Sequence, residues 1–176
     1  RKSQTYSNFN DFMYNLSYWS SWSNGFNIWK SEFDKIDKNL KLNKLFPHTS
    51  LCLPQHQAKL FCINDNLLFD VQRIPKRGGH NKFEAFTIEY PSLLDECCKK
   101  GHISTKCKKH ILFGIMVQFL PSLLFNKYII RIETFDDTGF RDNLKKYYPS
   151  YAYWLVLISV LGVPFRLFCR KLKNKR

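Results

Sequence analysis

The sequence is short of acid and lacks every compact catalytic signature. Only 14 Asp and Glu stand against 28 Lys and Arg, a net charge of +14 at neutral pH. There is no nucleophile motif, no glycine-rich phosphate loop and no His-Glu-x-x-His pair, so the usual hydrolase, nucleotidase and zinc-protease readings have no support. Asp95-Glu96 and Asp136-Asp137 are adjacent acids, but neighbouring positions on a helix or strand do not face one another and make poor acid–base partners. No secretory signal peptide is visible. The chain starts at Arg1 without Met, which implies that a further piece precedes it. No internal repeat or low-complexity linker is evident. With 24% charged and 44% apolar residues the composition is not that of a disordered chain. Its 176 residues suffice for one domain plus an anchor.

The most informative absence is of charge between Tyr147 and Phe165. These nineteen residues, as a helix, reach about 28 Å and just span a hydrocarbon core of about 30 Å. Tyr147, Tyr148, Tyr151, Tyr153 and Trp154 crowd one end, as an aromatic belt does. Arg166, Arg170, Lys171, Lys173, Lys175 and Arg176 follow with no acid among them. A buried core helix has no use for six cations in eleven residues. The sequence therefore reads as membrane-attached, with a membrane segment at 147–165 and a basic tail at 166–176. The rest carries 22 cations and 14 anions, hence +8. Such a surface suits anionic lipid headgroups or nucleic acid; beside an anchor, lipid headgroups and other membrane proteins are the expected partners and nucleic acid is not.

The fold class expected is α+β: a long N-terminal amphipathic helix, a small antiparallel sheet and a C-terminal membrane-associated helix. Phe12, Leu16, Trp19, Trp22, Phe26, Trp29, Phe33, Ile36 and Leu40 keep helical spacing and define an amphipathic region over 1–46, with Asn24-Gly25 as a possible break. That helix either packs on the domain or lies in a membrane interface with its Trp at headgroup depth; its acids favour packing. A small α+β domain is expected over 47–146. Residues 51–57 read as loop, and 59–63, 67–74 and 82–90 as a three-stranded meander turned at Asn64-Asp65-Asn66 and Arg77-Gly78-Gly79-His80-Asn81. A short helix from Ser92, a Lys-rich loop over 99–109, a strand over 127–135 and a short helix over 140–147 complete it. Ile111 to Phe125 is apolar but short, and reads as a core or re-entrant element. The competing architecture is an all-helical membrane bundle in which 111–125 and 147–165 form a hairpin.

The thiols are Cys52, Cys62, Cys97, Cys98, Cys107 and Cys169. Cys98, His102, Cys107 and His110 supply four residue types that ligate zinc, and the lysines around them favour thiolate. The spacing matches no standard finger or knuckle. A disulfide from Cys97 or Cys98 to Cys107, or free thiols, are the alternatives. Asn15-Leu16-Ser17 is a glycosylation sequon, but Leu16 on an apolar helix face makes a chance match the better account.

Three stretches carry a family resemblance. They are Trp22-Ser23-Asn24 through Ser31-Glu32-Phe33-Asp34-Lys35-Ile36-Asp37-Lys38, then Asn64-Asp65-Asn66-Leu67-Leu68-Phe69-Asp70-Val71, then Ile130-Arg131-Ile132-Glu133-Thr134 through Asn143-Leu144-Lys145. Together these resemble the transmembrane protein 129 family, membrane-bound ubiquitin ligases of the endoplasmic reticulum. The resemblance covers about half the chain and implies a cytosolic middle domain. That family's cysteine-rich RING part has no counterpart after Lys146, so no active-site residue transfers. The implied function is a non-catalytic part of an endoplasmic-reticulum membrane protein in ubiquitin-dependent disposal of misfolded proteins. The alternatives are a single-pass receptor or structural subunit with a lumenal domain, and a lipid-contacting accessory subunit. Six cations after the membrane segment, against Arg141, Lys145 and Lys146 before it, place the tail in the cytosol. The domain is then lumenal if the segment crosses, and cytosolic if the segment dips in and returns at Pro164. The cytosolic placement is the expectation.

Overall fold

The computed structural model describes residues 3–22, 27–64 and 81–173, the last four of these by backbone alone. The chain is α+β: helices dominate, with one two-stranded antiparallel sheet among the described residues. Two compact units interleave in sequence. The first takes Arg1–Gln72 and Glu89–Leu112, the second Arg73–Ile88 and Phe113–Arg176.

In the first unit β1 (Gln4–Tyr6) pairs with β2 (Phe61–Ile63), Gln4 opposite Ile63 and Tyr6 opposite Phe61. Helix α1 (Phe9–Leu16) is capped by Asn8, whose side chain accepts the Asp11 N–H. Its buried Phe9 and Phe12 rings lie 5.3 and 5.1 Å from Phe61 and fasten the sheet to the helix. The long helix expected from Phe9 onward does not form. The α-helix stops at Leu16, Ser17 takes φ 54°, a 3₁₀ turn covers Ser17–Ser21, and Trp22 is extended. Serine chemistry explains the stop: the Ser20 and Ser21 hydroxyls donate to the Ser17 and Tyr18 carbonyls and compete with the helix ladder. Ser20 is also pinned tertiarily, its Oγ 2.5 Å from the buried Tyr90 hydroxyl and its carbonyl accepting from Thr49 Oγ1. Asn24-Gly25 lies outside the described residues, and α2 (Lys30–Phe33) is one turn.

The loop expected over 51–57 is helical: α3 (Pro47–Cys52) runs into a 3₁₀ turn, Leu53–Gln57, with Pro47 and Pro54 at first-turn positions. The meander is not formed as expected. Strand β2 pairs with β1, the segment 67–74 and the turn Arg77-Gly78-Gly79-His80 lie outside the described residues, and 82–90 is helical. That helix comprises α4 (Lys82–Glu84), a π-helical turn (Ala85–Glu89) and α5 (Tyr90–Lys99). Alternation in 82–90 masks a stronger helical period, since Phe83, Thr87, Tyr90, Leu94 and Cys97 are all buried at spacings of 4, 3, 4 and 3. Asn81 caps the start by accepting from the Glu84 N–H.

The loop expected over 99–109 shrinks because Ser104 caps α6 (Thr105–Gly114), its Oγ accepting from the Cys107 N–H. Helix α6 continues through a π turn (Ile115–Phe119), α7 (Leu120–Leu124) and a second π turn (Phe125–Ile129), giving one 25-residue helix from Thr105 to Ile129. The strand expected over 127–135 is therefore absent: the helix runs to Ile129, Arg131 takes φ 61°, and no neighbouring strand exists for it to pair with among the described residues. The short helix over 140–147 is present as α8 (Phe140–Tyr147), entered through Gly139 at φ 73° after Asp136 accepts from the Thr138 N–H and hydroxyl. In the core of the second unit Phe83 meets Phe140 at 4.7 Å and Phe135 at 5.5 Å, and Phe86 meets Phe119 at 4.1 Å.

Two buried prolines, Pro91 in the first unit and Pro121 in the second, sit inside helices. Tyr90-Pro91-Ser92-Leu93-Leu94 and Leu120-Pro121-Ser122-Leu123-Leu124 recur thirty residues apart, each just after a π turn, although no repeat is obvious by eye. Each proline lacks the N–H that would serve a carbonyl one turn back. The freed carbonyls are met from elsewhere. Tyr148 donates its hydroxyl to Phe86 O at 2.7 Å, five residues before Pro91, in the π register. Arg166 Nη1 donates to Val117 O at 2.6 Å, four residues before Pro121. We expect Tyr148→Phe to cost about 1–3 kcal/mol in denaturant unfolding, the penalty of a buried unpaired carbonyl. In a Pro91→Ala background, where residue 91 regains its N–H, the cost should shrink towards zero. An equal loss in both backgrounds would contradict this assignment.

Candidate functional site

The membrane segment expected over 147–165 is two helices, α9 (Ala152–Leu161) and α10 (Val163–Lys173), bent by 50° at Gly162. The bend follows from Pro164 in the first turn of α10 and the break at Gly162. The pair is long and apolar enough to count as one broken membrane span or re-entrant loop, and Thr105–Ile129 passes the same test with 56% of its most apolar window buried. Ala152, Val156 and Val163 face inward, each 3% exposed or less. The opposite face is just as apolar and lies open: Tyr151, Trp154, Ile158, Leu161, Phe165 and Phe168, spaced 3, 4, 3, 4 and 3, are each more than half exposed, Leu161 at 81%. A helix apolar on all sides belongs in a protein core or in lipid.

Arg166 is the one charged side chain of this pair before Arg170, and it turns inward. It bonds Val117 O and lies 3.5 Å from Ser159 O, so its N–H groups are met by carbonyls while the charge itself stays unpaired among the described residues. An apolar groove of about 370 Å³ in the second unit is lined by Leu124, Ile129, Phe140, Tyr153, Leu157 and Val160 together with Tyr128 and Asp137, which are hydrogen-bonded to each other.

The four candidate zinc ligands do not converge. Cys98 lies 3.7 Å from Thr105 Oγ1. Cys107 is buried and donates to the Asn10 carbonyl. The His110 ring stacks on Tyr14 with centroids 3.9 Å apart. His102 stacks on His56 at 3.6 Å and 11°. Among the described residues no three His, Cys, Asp or Glu side chains are placed to hold a metal. The physical reason is that α6 begins at Thr105, so Cys107 and His110 point where the helix sends them and not back towards Cys98. Cys98 and His102 do share a polar cleft of about 550 Å³, together with His56, Asn8, Asn10 and Thr105. Parallel stacked imidazoles cannot aim in-plane lone pairs at one ion, so the pair as placed does not chelate. Burial holds the His102 imidazole below its ordinary value, with His56 and Lys100 adding to the effect. Nothing in the sequence signals the His56–His102 stack, which joins residues 46 apart.

No family model, no curated protein and no solved structure matches this chain.

Burial pushes the Cys52 and Cys97 thiols up to about 12, so both stay protonated at neutral pH. Cys62 is exposed and Cys98 half-exposed. With a maleimide at pH 7.5, Cys62 and Cys98 should be alkylated in the folded protein while Cys52, Cys97 and Cys107 react only after denaturation. Mass spectrometry reads the pattern, and early labelling of Cys97 or Cys107 would contradict the packing described.

Proposed function

We propose that this protein is a non-catalytic, membrane-attached module whose bent helix pair, α9 and α10, sits in the bilayer as a re-entrant hairpin. The observation that carries this reading is the open apolar stripe from Tyr151 to Phe168 on a helix whose inner face is also apolar. In water, six large apolar side chains in one continuous row are an unstable surface, whereas in lipid they need no partner. The inward turn of Arg166 supports the same reading, because a guanidinium at membrane depth has to be satisfied by protein groups. A 50° bend fits either a broken span or a shallow re-entrant V; we take the V, which keeps both ends on one side with Gly162 deepest. We assign that side to the cytosol. The endoplasmic reticulum as the membrane, and a role in ubiquitin-dependent disposal of misfolded proteins, rest on the sequence resemblance alone.

The test is alkaline extraction of membranes carrying the full chain. Wild type should stay in the pellet. Ile158→Arg with Leu161→Arg should move most of it to the supernatant, each charge costing about 2.5–3.5 kcal/mol at membrane depth. Asn15 is exposed, so its sequon reports the side in the same sample: glycosidase treatment should leave the protein's mobility unchanged. Release of the wild type by alkali would refute attachment, and a removable glycan would put the first unit in the lumen.

A further inference from the structure

We propose that residues 17–22 and 27–45 of the first unit are a second lipid contact, one that lays its tryptophans at the headgroup level of an anionic membrane surface. The inference rests on the membrane attachment proposed above. Trp19, Trp22, Trp29 and Phe33 are 52%, 46%, 81% and 48% exposed, so this stretch does not bury the apolar face its spacing describes. The Trp19 and Trp22 rings lie 5.3 Å apart, tilted by 47°. Tryptophan left in this state is the side chain best suited to the interface between water and hydrocarbon.

Charge decides the partner. Two of the three acids that argue against a lipid-facing surface are paired locally. Asp34 pairs with Lys30 at 2.8 Å and Glu32 with Lys35 at 2.7 Å, while Asp37 accepts the Asn39 N–H. Lys38, Lys41 and Lys44 follow on the same stretch, all exposed, with no ion pair among the described residues. What the described part of this stretch offers outward is indole rings and three exposed lysines beside the single unpaired acid Asp37, a net charge of +2. An anionic lipid surface satisfies both at once, the rings at headgroup depth and the ammonium groups against phosphate and carboxylate.

The experiment uses the full chain in vesicles containing brominated lipids, with two single-tryptophan forms. One keeps Trp154 (Trp19→Phe, Trp22→Phe, Trp29→Phe) and the other keeps Trp29 (Trp19→Phe, Trp22→Phe, Trp154→Phe). Trp154 should be quenched by acyl-chain bromine in phosphatidylcholine with or without phosphatidylserine. Trp29 should be quenched only when phosphatidylserine is present, and most strongly by bromine near the glycerol. Lys38→Gln, Lys41→Gln and Lys44→Gln together should raise the phosphatidylserine fraction needed for half-maximal Trp29 quenching several-fold, since one cation near the surface changes binding about fivefold. Quenched Trp154 with unquenched Trp29 would overturn this contact and leave the anchor standing, and would give the exposed rings to a protein partner. Unquenched Trp154 would instead overturn the attachment itself. Equal quenching of Trp29 in phosphatidylcholine alone, or no effect of the lysine substitutions, would overturn the anionic-lipid assignment.

Discussion

The packing of α9 depends on how two carbonyls, Phe86 and Val117, each shortly before a helical proline, are closed. Pro91 and Pro121 each remove a backbone donor inside a helix, and a buried carbonyl without a partner costs about 1–3 kcal/mol. The π turn before Pro91 shifts the ladder by one residue and puts the missing donor at Phe86, whereas Val117 is the carbonyl four residues before Pro121, in the α register. Both deficits are met from one stretch of chain, by the Tyr148 hydroxyl and the Arg166 guanidinium. These two bonds bracket α9. They fix which face of α9 packs inward, and so which face is left as the open stripe. The exposed apolar row thus follows from polar bookkeeping in the helices beneath it.

Arg166 also removes the electrostatic objection to placing this pair in lipid. A cation halfway along a bent apolar hairpin is costly unless it is paired, and two carbonyls supply the partners here. The carbonyl of Val117 lies four residues before Pro121, which has no N–H to offer it. The same residue that interrupts the long helix therefore makes the hairpin compatible with hydrocarbon.

Parts of this were legible in the sequence. The uncharged run after Tyr147, the short helix over 140–147 and the turn at Asp136–Gly139 could all be read from composition and spacing. The helix at 82–99 was legible too, since Phe83, Thr87, Tyr90, Leu94 and Cys97 keep a strict helical period, but a two-residue alternation over nine residues competes with it and was the wrong period to follow. The stop at Leu16 was harder, because apolar spacing continues through the serines and only tertiary contacts from Tyr90 and Thr49 show that the chain has left the helix. The Pro-Ser-Leu-Leu repeat was written in the sequence, yet its meaning is visible only when two distant donors are seen on the two freed carbonyls. The spacing over 98–110 does not say where a helix begins, and Thr105 begins one in the middle of the set, so the four side chains are not brought together in this structure.

The central claim is that the Tyr151–Phe168 stripe faces lipid along a hairpin that enters and returns. A nitroxide scan over residues 151–168 in proteoliposomes tests it directly, comparing collision with oxygen, which concentrates in lipid, and with a water-soluble nickel chelate. Oxygen collision should peak at 151, 154, 158, 161, 165 and 168 and fall at 152, 156 and 163. Depth should rise towards Gly162 and decrease beyond it. Nickel accessibility along the stripe, or depth that runs one way from Tyr151 to Phe168, would contradict the account.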